Sequence, residues 1–211
     1  MSTSTRGNSH VIAILAGLVL LGLVAAFAIG LPKATGDEGT GSSSSTPDHI
    51  AMPDSLPGGY RAADDADSFA GGQLESQAKQ IAAQQQEATA YANKVLPKAL
   101  GAPAASRSYV LDGTQAVFVQ VFTSDGGAFA PSSLSDPAAS NGGGGRTMEA
   151  VGDGVCILTY GQSQNGAAAT SPSDSQCQVS KNGLTAQIEA GTVAPEDLVK
   201  AADALLSKIS S

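Results

Sequence analysis

Two stretches in the first third of the chain lack the apolar periods that build a folded domain. The first stretch is Val11 to Leu31, VIAILAGLVLLGLVAAFAIGL, with no charge, no proline and no polar side chain. As a helix these 21 residues reach about 31 Å, close to the hydrocarbon thickness of a bilayer. A helix buried in a water-soluble protein keeps a polar face, and this run has none. The pattern predicts a transmembrane helix over 11–31 behind a cytoplasmic tail, 1–10. The second stretch is 32–58, PKATGDEGTGSSSSTPDHIAMPDSLPG. Gly, Ser, Thr and Pro dominate it, which predicts a flexible linker.

Periodicity resumes after Gly71-Gly72. Leu74, Ala78, Ile81, Gln85, Ala88, Ala92, Val95 and Ala99 follow in steps of four and three, which predicts a helix with one continuous stripe. Pro97 should end or kink it, and Gly101 is a natural C-terminal stop. The stripe is mostly alanine, whereas coiled coils prefer Leu, Ile or Val there, so the expected partner is a sheet of the same domain.

Strand patterns come next. SRSYVL, an Asp112-Gly113 turn and TQAVFVQVFT form one hairpin, since Asp-Gly suits a two-residue type I′ turn. In its second strand Val117, Val119 and Val121 share one face, and Phe118 and Phe122 share the other. Two apolar faces predict a central or covered strand. A long Gly- and Pro-containing loop runs from Ser124 to Gly145. Phe129 and Leu134 are the residues expected to pin its first half. Next come RTMEAV, a Gly152-Asp153-Gly154 turn, VCILTY, a polar loop, QCQVS, a Lys181-Asn182-Gly183 turn and LTAQIEA. The final helix starts at Pro195, with Glu196 and Asp197 at its positive end. Its buried stripe is Leu198, Ala202, Leu205 and Ile209, widened by Val199 and Leu206. The order predicts an α+β domain over 59–211, with an antiparallel sheet of about six strands packed by an N-terminal and a C-terminal helix.

Charge and cysteine usage add the compartment. Beyond residue 31 ten Lys and Arg face nineteen Asp and Glu, a formal charge of −9. That excludes a nucleic-acid partner, which needs basic patches, and docking on anionic lipid. The short leading tail favours a cytoplasmic N-terminus and an extracytoplasmic domain on the cell membrane, with residues 11–31 as the membrane contact. Cys156 and Cys177 fall in consecutive strands, and an even cysteine count outside the cytoplasm predicts a disulfide between them. Ala26-Phe27-Ala28 offers a small-x-small cleavage site. Cleavage there would make the protein a secreted binding protein instead of an anchored one.

Catalytic chemistry has little to work with. The two histidines are His10, beside the apolar run, and His49, in the linker. A Ser-His-Asp or Cys-His site inside 59–211 is therefore excluded. Ser76-Gln77-Ala78-Lys79 fits the S-x-x-K pattern of a serine acyl-enzyme, with Ser76 as nucleophile and Lys79 as base. Ser124-Asp125-Gly126 and Lys181-Asn182-Gly183 are imperfect versions of its companion motifs. Asp64, Asp65 and Asp67 suggest a calcium loop, but the positions at Phe69, Ala70 and Ser76 carry the wrong residues, so an exposed acidic segment is expected. No cofactor and no metal site is predicted.

The ending LTAQIEAGTVAPEDLVKAADALL, a strand, a glycine and an acidic-start amphipathic helix, resembles the close of small extracytoplasmic domains on single-pass bacterial membrane proteins. Some of those are anti-sigma-factor-like envelope sensors, and the overall plan is similar to membrane-anchored proteins of actinobacterial type. The resemblance implies a non-catalytic interaction or sensor module, with an envelope protein or cell-wall component as partner. The family's sigma-holding cytoplasmic domain has no counterpart in Met1 to His10, so direct transcriptional signalling is not expected.

Overall fold

The computed structural model describes residues 49–127, 129–139, 144–161 and 170–210. The expected cytoplasmic tail 1–10 with His10, the predicted membrane span 11–31 and most of the predicted linker lie outside the described residues. Among the described residues no helix is long and apolar enough to cross a membrane.

The fold is α+β, built on one antiparallel sheet. Its strands are β1 (Ser55–Leu56), β2 (Tyr60–Ala62), β3 (Ala104–Leu111), β4 (Gln115–Thr123), β5 (Gly145–Val151), β6 (Gly154–Tyr160), β7 (Asp174–Lys181) and β8 (Leu184–Ala190). Their spatial order is β1-β2-β3-β4-β8-β7-β6-β5. The helices are α1 (Ala78–Leu100) and α2 (Pro195–Ile209). After β4 the chain crosses to the far edge, then three hairpins bring β8 back beside β4.

The sheet has eight strands, two more than the six expected. The extra pair comes from sequence with no alternating pattern. Residues 50–56, expected to be linker, belong to the fold: Ile50 and Leu56 are buried, and β1 pairs with β2, which pairs with β3. The linker and domain boundaries expected at 58 and 59 therefore fall inside the folded unit.

The hairpin turns explain the register. Asp112 and Gly113 have φ of 52° and 64°, and Asn182 and Gly183 have 53° and 74°. Both central residues are left-handed, as a type I′ turn requires, and Asx-Gly supplies that at least cost. With these turns set, Val117, Val119 and Val121 face Ala190, Ile188 and Ala186 across β4 and β8. That face is the core, and α2 covers it with Leu198, Ala202, Leu205 and Leu206. Gly154 lets the helix come close, since a Cβ there would lie 2.9 Å from Val199 Cγ2.

Helix α1 behaves differently from its sequence stripe. Leu74, Ala78, Ile81 and Ala82 are buried, but Ala88, Val95 and Ala99 are exposed. The helix packs against β3 and the 3-10 turns Ala66–Phe69 and Glu75–Gln77. Beyond the reach of β2, Asn93 Oδ1 accepts the Ser106 backbone N–H at 2.7 Å. A side chain thus closes part of a sheet edge that would otherwise be unpaired. Pro97 sits inside α1 and does not end it; the helix runs to Leu100 and stops at Gly101, whose φ is 66°.

Candidate functional site

The opposite face of the sheet is polar at its centre, and strand alternation puts it there. Residues flanking the core valines of β4 point the other way: Phe118, Gln120 and Phe122. The β4–β8 register sets them beside Glu189, Gln187 and Thr185, and the β7–β8 register adds Gln176, Gln178 and Ser180. Through β6 the same face reaches Val155, Ile157 and Thr159, and through β5 it reaches Arg146. Phe118, Gln120, Phe122, Gln178, Gln187 and Glu189 are all half-buried.

Three of the amides form a chain across adjacent strands. Gln120 Nε2 donates to Gln187 Oε1 at 2.6 Å, and Gln187 Nε2 donates to Gln178 Oε1 at 3.0 Å. Each amide has two N–H donors and a carbonyl with two lone pairs. The row therefore keeps hydrogen-bonding capacity after its own bonds are made. Its two ends differ, with a carbonyl at Gln120 and an amide N–H₂ at Gln178. One row along, Ser180 and Thr185 share a hydrogen bond at 2.9 Å, and the Thr185 hydroxyl donates to Ser124 O at 2.9 Å.

Two carboxyls lie on the same face. Burial, with Asp174 as a second negative charge, pushes Glu189 up to about 7. Burial also raises Asp174, and Arg146 works against it. Arg146 itself donates from Nε to Thr159 Oγ1 at 3.3 Å. Near neutral pH the Glu189 carboxyl is thus divided between a proton-donating and a proton-accepting form.

A second polar centre lies on the core side and is structural. Arg107 grips Asp64 with two parallel bonds, Nε to Oδ2 at 3.0 Å and Nη2 to Oδ1 at 2.8 Å. Its Nη1 donates to Met52 O, Pro53 O and Asp54 Oδ1 at 3.1, 3.0 and 2.9 Å. The Tyr109 hydroxyl donates to Pro53 O at 2.9 Å, and burial holds that phenol above its ordinary range. Together they strap residues 52–54 to β3.

Cys156 and Cys177 are directly opposite in β6 and β7 and form the disulfide. Ser76 lies in the 3-10 turn before α1, and both it and Lys79 are exposed. The Lys181 ammonium is held on α2 by Asp203 Oδ1 at 2.8 Å and Ser207 Oγ at 3.0 Å, and Asn182 Nδ2 donates to Ser210 Oγ. The acidic run before α1 is not simply an exposed segment. Asp64 is the bidentate partner of Arg107, with 14 % of its side chain exposed, and Asp65 caps a 3-10 turn through the Asp67 N–H at 3.0 Å. Among the described residues no three metal-ligating side chains converge. His49 is exposed at the start of the folded unit.

No protein-family model matches the chain, and neither a curated protein nor a solved structure matches it.

Proposed function

We propose that the chain is a membrane-anchored extracytoplasmic interaction or sensor module without catalytic activity, and that its polar sheet face is the recognising surface. The observation that carries this reading is the Gln120–Gln187–Gln178 row, half-buried on the sheet face opposite α2. Hydrogen-bonding groups held on neighbouring strands are fixed by the backbone ladder and lose little freedom when a partner docks. The run 11–31 supplies the tether, and a disulfide between β6 and β7 fits an oxidising compartment. The partner is an envelope protein or a cell-wall component.

Two measurements test the reading. Alkaline carbonate washing should leave the full chain in the membrane fraction, with an intact mass that includes residues 1–31. A soluble species beginning near Ile29 would replace the tether with secretion. A penicillin-type acylating probe should leave the protein unmodified, and stoichiometric acylation at Ser76 would replace the module with a serine hydrolase that uses Lys79 as base.

A further inference from the structure

The polar face also indicates what kind of partner it takes. We infer that the face of β4, β8 and β7 binds a neutral, hydroxyl-rich glycan chain, with the glutamine row as its hydrogen-bonding rail and Phe118 and Phe122 as its stacking surfaces. This rests on the reading of that face as the recognising surface and names its ligand class.

A sugar hydroxyl is donor and acceptor at once, and so is a primary amide. The three amides sit on adjacent strands, at intervals of about 4.8 Å, and a chain of pyranose rings presents hydroxyls on a comparable repeat. The row's own bonds fix each amide's orientation, so a ligand meets oriented groups instead of having to order them. Phe118 and Phe122 stand two residues either side of Gln120 on the same face. Aromatic rings so placed can cover the C–H faces of sugar rings, while a carboxyl such as Glu189 accepts from hydroxyls at the margin. An extended peptide is recognised by adding to a free sheet edge, and these residues lie on the face of three internal strands. A polyanion is disfavoured by the chain's formal charge of −8 and by the two carboxyls on the face.

The test is calorimetric titration of the full-length protein in detergent micelles. The probes are chitotetraose, cellotetraose and mannotetraose, with polygalacturonate as the acidic control. At least one neutral probe should bind, and the acidic polymer should bind at least ten-fold more weakly. Gln187→Leu, which breaks the row at its centre, should weaken binding at least ten-fold, as should Phe118→Ala. Tyr91→Ser, on the outer side of α1, should leave it unchanged. Gln178→Leu provides the same test at the end of the row should Gln187→Leu lose the thermal transition of the parent. The inference is overturned if none of the neutral probes binds, if binding survives both row variants and Phe118→Ala, or if polygalacturonate binds as tightly. Crosslinking to a protein through this face, with no glycan binding, would overturn the glycan and leave the interaction module standing. Acylation at Ser76 would remove the module itself.

Discussion

At the scale of single residues, two side chains carry consequences that can be measured. Glu189 lies on the polar face with Phe118 beside it on β4, Gln176 and Asp174 on β7, and Arg146 further along on β5. Its carboxyl rises from 4.5 to about 7 on folding, first through burial and then through Asp174. A raised acid takes up protons when the chain folds, so the folded state is favoured at low pH and loses that advantage as pH climbs from 4.5 to about 7. Asp174 is shifted in the same direction and adds to the same slope. Glu189→Gln should therefore flatten the fall in thermal midpoint across this window and melt above the parent at pH 8. Parallel curves for the two proteins would show that Glu189 is solvated like an ordinary surface acid. Arg107 is the other case. Its side chain is 16 % exposed and that of Asp64 14 %, and removing one member of such a buried pair costs about 3–5 kcal/mol. Arg107→Ala should lose that much in urea unfolding and open residues 52–54 to protease. Arg107→Lys should recover only part, because an ammonium cannot reproduce the fork on Asp64.

At the scale of elements, the contrast between the two helices shows what a period does and does not reveal. The stripe of α2 in the sequence is the stripe that packs, because its Leu and Ala residues fill a face that β7 and β8 provide. The stripe of α1 is just as regular, yet Tyr91 is 71 % and Val95 36 % exposed. Alanine at helical spacing is compatible with a packed face and with a solvated one, since it forms helix well in either setting. Ile81→Ala should thus cost about 2–5 kcal/mol, as for other core truncations, and Val95→Ala should stay within about 0.5 kcal/mol, as for surface changes. Similar losses at the two sites would show that the outer half of α1 is covered. The hairpins were legible because Asp112-Gly113 and Asn182-Gly183 set register locally in β3–β4 and β7–β8. The disulfide was legible because the two cysteines fall in consecutive strands, and β6 pairs with β7 so that Cys156 stands opposite Cys177. Replacing both cysteines by alanine should cost about 3 kcal/mol for a closed loop of this length, given the sequence separation of 21. The glutamine row was not legible. Its members lie 67 and 9 residues apart, and only the crossing from β4 to β5 and the return of β8 beside β4 bring them together. The one usable hint was the alternation in QAVFVQVFT, which marked Phe118 and Phe122 as sharing a second face.

At the scale of the whole molecule, the decisive question is where the folded unit begins. Composition alone ends the expected linker at residue 58, because Pro, Ser, Thr and Gly dominate up to that point. Packing begins it earlier. Ile50 and Leu56 enter the core cluster, β1 extends the sheet and touches α2, and the carbonyls of Met52 and Pro53 satisfy Arg107 and Tyr109. A short polar stretch escapes periodicity analysis when its contribution is two buried side chains and a few carbonyls, as here. The boundary has a measurable consequence. Burying an aliphatic side chain is worth about 1.5–3 kcal/mol, so losing Ile50 and Leu56 together costs about 3–6 kcal/mol on that scale. The same cut leaves the guanidinium of Arg107 and the hydroxyl of Tyr109 without their backbone acceptors, which adds to the loss. A protein beginning at residue 49 should melt cooperatively, and one beginning at residue 59 should melt well below it. Equal midpoints would place 49–58 outside the cooperative unit. The same boundary governs any search for partners. Bait that starts at residue 59 removes β1 and the strap on β3, the strand that flanks β4 and the glutamine row, whereas bait that starts at 49 keeps the sheet that presents that row.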